Sequence, residues 1–285
     1  MDFDLSEEQR LLKDSVDRLV ADRYDFESRK RYASEPDGWS RALWAVYAEL
    51  GLLAIPFAEE HGGFGGGPVE IMIVMEAFGR ALALEPYLET VILGGGLLRH
   101  GGSADQKAAH LPRIAAGESL LAFAHTERQS RFDLDDVATT ARRDGEGFVL
   151  DGRKSVVLHG DSADAILVTA RTAGSRRDRG GIGLFLVDAG TRGLSRRGYP
   201  TQDGRRAAEL ALEGVRVGPE NVVGSPEDAL PLVERVVDEA MAALAAESVG
   251  TMDEMLKLTV DYLKTRKQFG TTIGSFQALQ HRATE

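Results

Sequence analysis

The chain has 285 residues, 34 Lys and Arg against 45 Asp and Glu for a formal charge of −11, 43% hydrophobic residues and no cysteine. An acidic balance of this size repels a phosphate backbone and offers no polybasic membrane face, which sets nucleic acid and acidic lipid aside as partners. Without cysteine there are no disulfides, thiolate metal sites, cysteine nucleophiles or iron–sulfur clusters, so redox or covalent chemistry must come from elsewhere.

The acidic start Met1-Asp2-Phe3-Asp4 runs straight into an amphipathic pattern and lacks the marks of a targeting signal. No apolar stretch approaches 18 residues, so no membrane span is expected and the cytoplasm is the default location. Ser6 and Gln9 form an S-x-x-Q capping box before Leu12, Val16, Leu19 and Val20 at helical spacing. Further helices are predicted over Ser40 to Leu50 with Leu43, Trp44 and Tyr47, from Pro68 with Ile71, Val74, Met75, Phe78 and Leu82, and over Leu88 to His100 before Gly101-Gly102. Residues 1–117 read as an all-α domain.

At Gly117 the period changes. Gly147 to Leu158 reads as strand, turn, strand, with Asp151-Gly152 at the turn. Ala165 to Ala170, Gly183 to Val187 and Glu209 to Glu213 are further short strands. Residues 118–225 therefore read as a β-barrel or small sheet, without the helices that parallel crossovers need. From Pro226 the helical period returns, and Val233, Val237, Met241, Leu244, Met252, Leu256 and Leu263 form one stripe reaching Lys264, Arg266 and Lys267 before a stop at Gly270. A helix of this length cannot cover such a stripe alone, so it needs partner helices in this chain or another. A second helix restarts at Ser275-Phe276-Gln277 and halts uncapped at Glu285, which reads as a truncated chain with an incomplete bundle over 226–285. The fold class is α+β multidomain: N-terminal all-α domain, middle β-barrel or sheet domain, C-terminal α-helical bundle.

Several tempting motifs have plainer readings. Gly147-x-x-x-x-Gly152-Arg153-Lys154-Ser155 misses the P-loop spacing by one residue and lies among strands, and Gly62 to Gly67 contains no G-x-G-x-x-G and reads as a loop between helices. The six histidines have no i, i+4 partner, so no metal site is expected. Arg171, Arg176, Arg177 and Arg179 read as a solvated loop, and Glu239 as a solvent-facing helical carboxylate. Arg266-Lys267-Gln268-Phe269-Gly270 with Gln277 and Gln280 is harder to dismiss as a helix end. A guanidinium fork suits pyrophosphate, and a Gln amide donates and accepts at once.

That corner, together with Leu5-Ser6-Glu7-Glu8-Gln9, Gly51 to Pro56, Glu59 to Gly63, Ala124-His125-Thr126-Glu127 and Asp151-Gly152-Arg153-Lys154, resembles the acyl-CoA dehydrogenase family, in the family's order and over nearly the whole chain. The resemblance implies FAD as cofactor, α,β-dehydrogenation of an acyl-CoA thioester, and electron transfer to an electron-transfer flavoprotein. It implies that Arg266 and Gln277 contact the FAD pyrophosphate and adenosine of a neighbouring subunit with Phe269 nearby. It also implies that His125 and Thr126 face the isoalloxazine ring, with the Val156 to Leu158 strand against it. Homo- or hetero-oligomers through the C-terminal helices follow from the same likeness. The family's glycines are missing from Thr126 to Asp133, and Val156-Val157-Leu158 stands where the family has Trp-Ile-Thr. No catalytic base is assigned: in most members of the family it lies beyond the point where this chain stops, and where it sits early in the long helix its column falls here on Ala240 beside Met241. These departures resemble the small subunit of pimeloyl-CoA dehydrogenase, so a partner subunit without a base is the second expectation. A non-enzymatic helical interaction protein is the third.

Overall fold

Ser6 opens the first helix because its hydroxyl accepts from the Gln9 N–H while the Gln9 side chain accepts from the Ser6 N–H, closing the expected capping box. Ser6→Ala is expected to lower stability by about 1 kcal/mol, read as an earlier thermal midpoint. The computed structural model describes residues 4–284. The start Met1-Asp2-Phe3 and the terminal Glu285, on which the leader and truncation readings lean, lie outside the described residues.

α1 (Glu7–Arg23), α2 (Phe26–Ala33), α3 (Arg41–Glu49) and α4 (Pro68–Ala81) build an amino-terminal helical layer. Val16, Leu19, Leu43, Trp44, Tyr47, Val74, Met75 and Phe78 are buried as their spacing demands. Leu82 is not on that face: it is the left-handed C-cap of α4 and is largely exposed. The helix expected from Leu88 begins as a π-helix, Leu88–Gly94, and continues as α5 (Gly95–Gly101), followed by α6 (Ala104–Ala115). The wider π turn seats the helix on the sheet. Thr90 Oγ1 donates to the Leu121 carbonyl at 3.1 Å and accepts from its N–H at 3.2 Å, and a Cβ on Gly94 would stand 2.5 Å from Leu121 Cβ.

The middle of the chain is a curled mixed sheet in the order β1-β4-β2-β3-β7-β6, with β5 also on β4. Its strands are β1 (Leu121–Ala124), β2 (Thr140–Asp144), β3 (Gly147–Leu158), β4 (Ala165–Arg171), β5 (Ile182–Asp188), β6 (Leu194–Pro200) and β7 (Arg206–Val217). β1 and β4 are parallel even though no helix joins them, because the β2–β3 excursion carries the chain back. Asp151-Gly152 is not a hairpin turn. β3 runs through it with a register shift against β7, and the reversal before β3 lies at Gly145-Glu146. Glycine is needed at 152 because a Cβ there would meet Thr139 Cα at 2.7 Å. Leu121, Phe123, Ala165 and Leu167 pack on the helices, while Ala122, Ala124, Ile166, Val168 and Ala170 line the inside of the curl.

The long helix α7 (Leu230–Thr265) would measure about 54 Å. It docks on α4 and α5 through Val233, Val236, Ala240, Ala243, Ala246 and Gly250, a face of small residues. Of the expected stripe, Val233 lies in this seat and Val237 packs partly against the core, but Met241, Leu244, Met252 and Leu256 are exposed, as are Met255 and Leu258. The expected stop at Gly270 is a hairpin instead. α7 ends at Thr265, β8 (Lys267–Gln268) pairs with β9 (Thr271–Thr272), and Phe269-Gly270 turns between them with both φ positive, before α8 (Gln277–Thr284). Among the described residues no helix is long and apolar enough to cross a membrane.

Candidate flavin site and its relatives

The chain leaving β1 carries His125, Thr126 and Glu127 past the outer end of β3. The Ser155 N–H donates to the Thr126 carbonyl at 2.9 Å, which holds the two segments together. A second register shift in β3, between Lys154 and Val157, puts Val156 at φ 52°. A β-branched residue pays steric strain for that conformation, and here it turns Val156 outward, half exposed, while Val157 points into the sheet. The result is a groove of about 500 Å³ lined by Thr126, Glu127, Arg128, Arg131, Ser155, Val156, Arg197 and Glu209.

Around the groove the polar groups are mostly placed by others. Glu209 Oε1 accepts from Tyr199 Oη at 3.0 Å and from the Val156 N–H at 3.4 Å. His125 stacks on Phe123 at 4.7 Å between ring centres, and its Nε2 lies 3.2 Å from Thr126 Oγ1, but its buried Nδ1 has no partner. Burial, assisted by the charge of Lys154, pulls the His125 imidazole down to about 4, so it is neutral at pH 7. Glu127 is buried and accepts from Lys154 Nζ at 2.7 Å, Gln129 Nε2 at 2.7 Å and the N–H groups of Ala138 and Thr139 at 2.9 and 3.1 Å. Burial alone would raise its carboxyl, but the Lys154 ammonium and these donors outweigh it and hold Glu127 at about 2.

Of the expected flavin contacts, Thr126 and Val156 line this groove; His125, stacked on Phe123, and half-buried Leu158, paired with Ala207 at the end of β3, do not. Arg266, Phe269 and Gln277 gather separately at the far end of α7, and none of them lines the groove. There the Ile273 N–H donates to the Arg266 carbonyl at 2.9 Å, the exposed Phe269 meets Phe276 edge to face at 6.1 Å, and the side chains of Arg266 and Gln277 lie open. Two charged groups behave differently from their expectation. Arg171 is buried and donates to the carbonyls of Val137, Asp135, Arg176, Asp178 and Gly180, which ties the loop after β4 to the segment before β2. Glu239 is clamped by Arg99 at 2.5 Å and His100 at 2.8 Å beside a cavity of about 880 Å³ between α4, α5 and α7. No metal-holding group of His, Asp or Glu occurs among the described residues. Sequence reasoning missed Lys154 and Glu127 as partners and the left-handed turn at Val156. A fully buried lysine two residues before a β-bulge has no signature in composition or period.

Helices, a curled mixed sheet and a long return helix, with a groove where the first strand leaves the sheet, define a multidomain α+β architecture. Three family models cover the chain in turn: acyl-CoA dehydrogenase N-terminal domain over 6–118, middle domain over 122–215 and C-terminal domain over 231–285. The probable acyl-CoA dehydrogenase YngJ of Bacillus subtilis is 30% identical over all of this chain and 76% of its own length. Among solved structures, the ChsE4-ChsE5 complex from Mycobacterium tuberculosis matches with a TM-score of 0.89 at 29% identity, over 100% of this chain and 74% of that one. A structure described as the electron transferring flavoprotein of Acidaminococcus fermentans matches with a TM-score of 0.91 at 28% identity, over 100% of this chain and 75% of that one. The chain belongs to the acyl-CoA dehydrogenase family.

Proposed function

We propose that the chain serves an FAD-dependent dehydrogenase that removes hydrogen from Cα and Cβ of an acyl-CoA thioester and hands the electrons to an electron-transfer flavoprotein. The observation that carries this reading is the groove at the end of β1. It offers an outward aliphatic wall at Val156 and a hydroxyl at Thr126, with His125 next in the chain carrying a buried ring nitrogen that has no partner. That donor set fits the edge of a flavin ring, which is apolar on its faces and polar along its pyrimidine side. Bound there, FAD would supply the hydride acceptor that no side chain of this protein can supply. The chain's own residues bind and orient. Val156 and Leu158 keep water from one side of the ring, Thr126 and neutral His125 offer hydrogen bonds along its edge, and Lys154 and Glu127 hold the backbone behind them. Arg266 and Gln277, with Phe269 beside them, would take the pyrophosphate and adenosine of a neighbouring subunit's FAD. This needs an oligomer, and the uncovered apolar stripe of α7 supports one.

A second reading within the family has its own support. The base column of the early helix holds Ala240 and Met241, and Glu239 is committed to Arg99 and His100, so the chain would complete a flavin site whose base comes from a sister subunit. The structural match to the ChsE4-ChsE5 complex is consistent with such a pairing. Titration of the purified chain with FAD is expected to quench flavin fluorescence and give a protein-bound band near about 450 nm. An unchanged flavin signal, with and without a sister chain, would sink the proposal. Turnover of acyl-CoA by the chain alone favours the first reading, and turnover only with a sister chain favours the second.

A further inference from the structure

The most heavily buried charge on the sheet stands directly behind the groove. Lys154 has no exposed surface, and its Nζ donates to Glu127 Oε1 at 2.7 Å, Thr169 Oγ1 at 3.0 Å and the His125 carbonyl at 3.3 Å. Through these bonds and the three further donors on Glu127, one ion pair ties together the exit of β1, the segment before β2, β3 and β4. Its hold on residues 125–127 is dense. The carbonyl of His125 is taken by Lys154, that of Thr126 by the Ser155 N–H, and the Glu127 N–H by Ser130 Oγ at 3.0 Å. These bonds fix Thr126 and Glu127 where they line the groove, while the His125 ring stacks on Phe123 beside it.

Stability alone does not account for such a pair. Burying two charges costs several kcal/mol of desolvation each, and well-packed neutral groups of the same size often do as well or better. The neighbouring inner face of the sheet is built that way, from Ala124, Val168, Ala170 and Leu210. What an ion pair held by six hydrogen bonds provides, and an apolar contact does not, is a defined position for the backbone it holds.

We propose that Lys154 is a positioning residue: through its buried pair with Glu127 it fixes the His125–Glu127 segment in the place that an FAD ring edge in the groove requires. The inference rests on the flavin reading above, and its test separates the two. The double variant Lys154→Met, Glu127→Gln removes both charges together, and the single Gln oxygen still accepts from one of the Ala138 and Thr139 N–H groups, which bond separate carboxylate oxygens in the wild type, so no unpaired charge is left inside. Its urea midpoint is expected to stay near wild type. Its FAD dissociation constant is expected to rise by at least about tenfold, with the vibronic shoulders of the bound-flavin band smoothed. Wild-type affinity and band shape in the double variant would overturn the inference and leave the flavin reading standing. Failure of the wild type itself to bind FAD overturns that reading and this one together.

A measurement on the wild type holds even if the variant does not fold. Burial pulls Lys154 down to about 8 against the opposing charge of Glu127, so its ammonium is lost as pH rises through that value. The groups facing it do not follow: Glu127 at about 2 and His125 at about 4 are already deprotonated, Thr169 does not titrate, and Arg171 and Asp136 are the next charges outward. FAD affinity is expected to fall severalfold between pH 7 and pH 9 with the far-ultraviolet circular dichroism unchanged. Affinity flat across that range in the folded protein would count against the proposal.

Discussion

Alanine at position 250 is expected to lift α7 off α4. The two helices cross with backbone almost touching backbone: a Cβ on Gly250 would stand 1.9 Å from the Glu76 carbonyl oxygen, and a Cβ on Gly79 would stand 1.9 Å from that of Glu247. Neither obstacle is the flexible end of a side chain, so relief requires the helices to separate, which also breaks the bond from Thr251 Oγ1 to the Gly79 carbonyl at 3.0 Å. Two effects compete. Alanine is the better helix former by about 1 kcal/mol, whereas overpacking a tight contact costs about 1–3 kcal/mol and more when backbone must move. The second wins, and a loss of about 3 kcal/mol is expected for Gly250→Ala in urea denaturation. Gly79→Ala should cost a similar amount. The double variant should cost little more than either, because one separation relieves both clashes. A midpoint within about 0.5 kcal/mol of wild type would mean the crossing is looser than the structure has it. The consequence reaches the far end of the helix: Arg266 lies 16 residues beyond Gly250, about 24 Å along the axis, so a tilt at the crossing moves the hairpin that carries Arg266 and Phe269.

That crossing also shows where the sequence stops being legible. Large apolar residues at helical spacing identified α1, α3 and α4 correctly, because in those helices the largest side chains fill the core. On α7 the same rule picked Val233 and Val237, which do pack on the core, but also Met241, Leu244, Met252 and Leu256, which are exposed, whereas beyond Val237 the helix sits on Ala240, Ala243, Ala246 and Gly250. Close approach selects small residues, and a hydropathy pattern gives them little weight. The strands show a related limit. β4, β5 and β7 announce themselves by apolar runs or alternation, but β2 and β6 are edge-like and polar, with Arg142, Arg143, Arg196 and Arg197 in their middle, and only pairing with β3 and β7 defines them. Asp151-Gly152 has the composition of a turn, yet glycine is there because Thr139 leaves no space for a side chain. For the site, the motif residues His125, Thr126, Val156 and Leu158 were readable only through the family resemblance, and of these Thr126 and Val156 line the groove. The buried pair behind them was not, since a lysine and a glutamate 27 residues apart declare nothing until the sheet brings them to 2.7 Å.

Acid is expected to destabilise the protein through His125 before most carboxylates are titrated. The folded protein holds this imidazole at about 4, against an ordinary value near 6.5, because burial beneath Phe123 and the charge of Lys154 both disfavour the proton. The unfolded chain therefore binds a proton that the folded chain refuses, and stability falls as pH drops. This contribution is complete above pH 6.5 and is lost between about 6.5 and 4, with an upper bound of about 3 kcal/mol from the width of that window. Buried His159 is shifted the same way by burial and adds to the trend, whereas Glu85 and Glu247, raised by burial, take up protons in the folded state and oppose it. A difference measurement isolates the one group: urea denaturation at pH 7.5 and pH 5 for wild type and for His125→Leu, which fills similar space on Phe123 without a titrating ring. Wild type is expected to lose about 1–2 kcal/mol more than the variant between the two pH values. Equal losses would mean that the imidazole takes its proton without cost, which requires Nδ1 to find in solution the partner it lacks in the folded structure. In the flavin reading that partner is the ligand, so FAD should also shift the His125 titration, and the pH dependence of stability should differ between the free and FAD-bound protein by the same linkage.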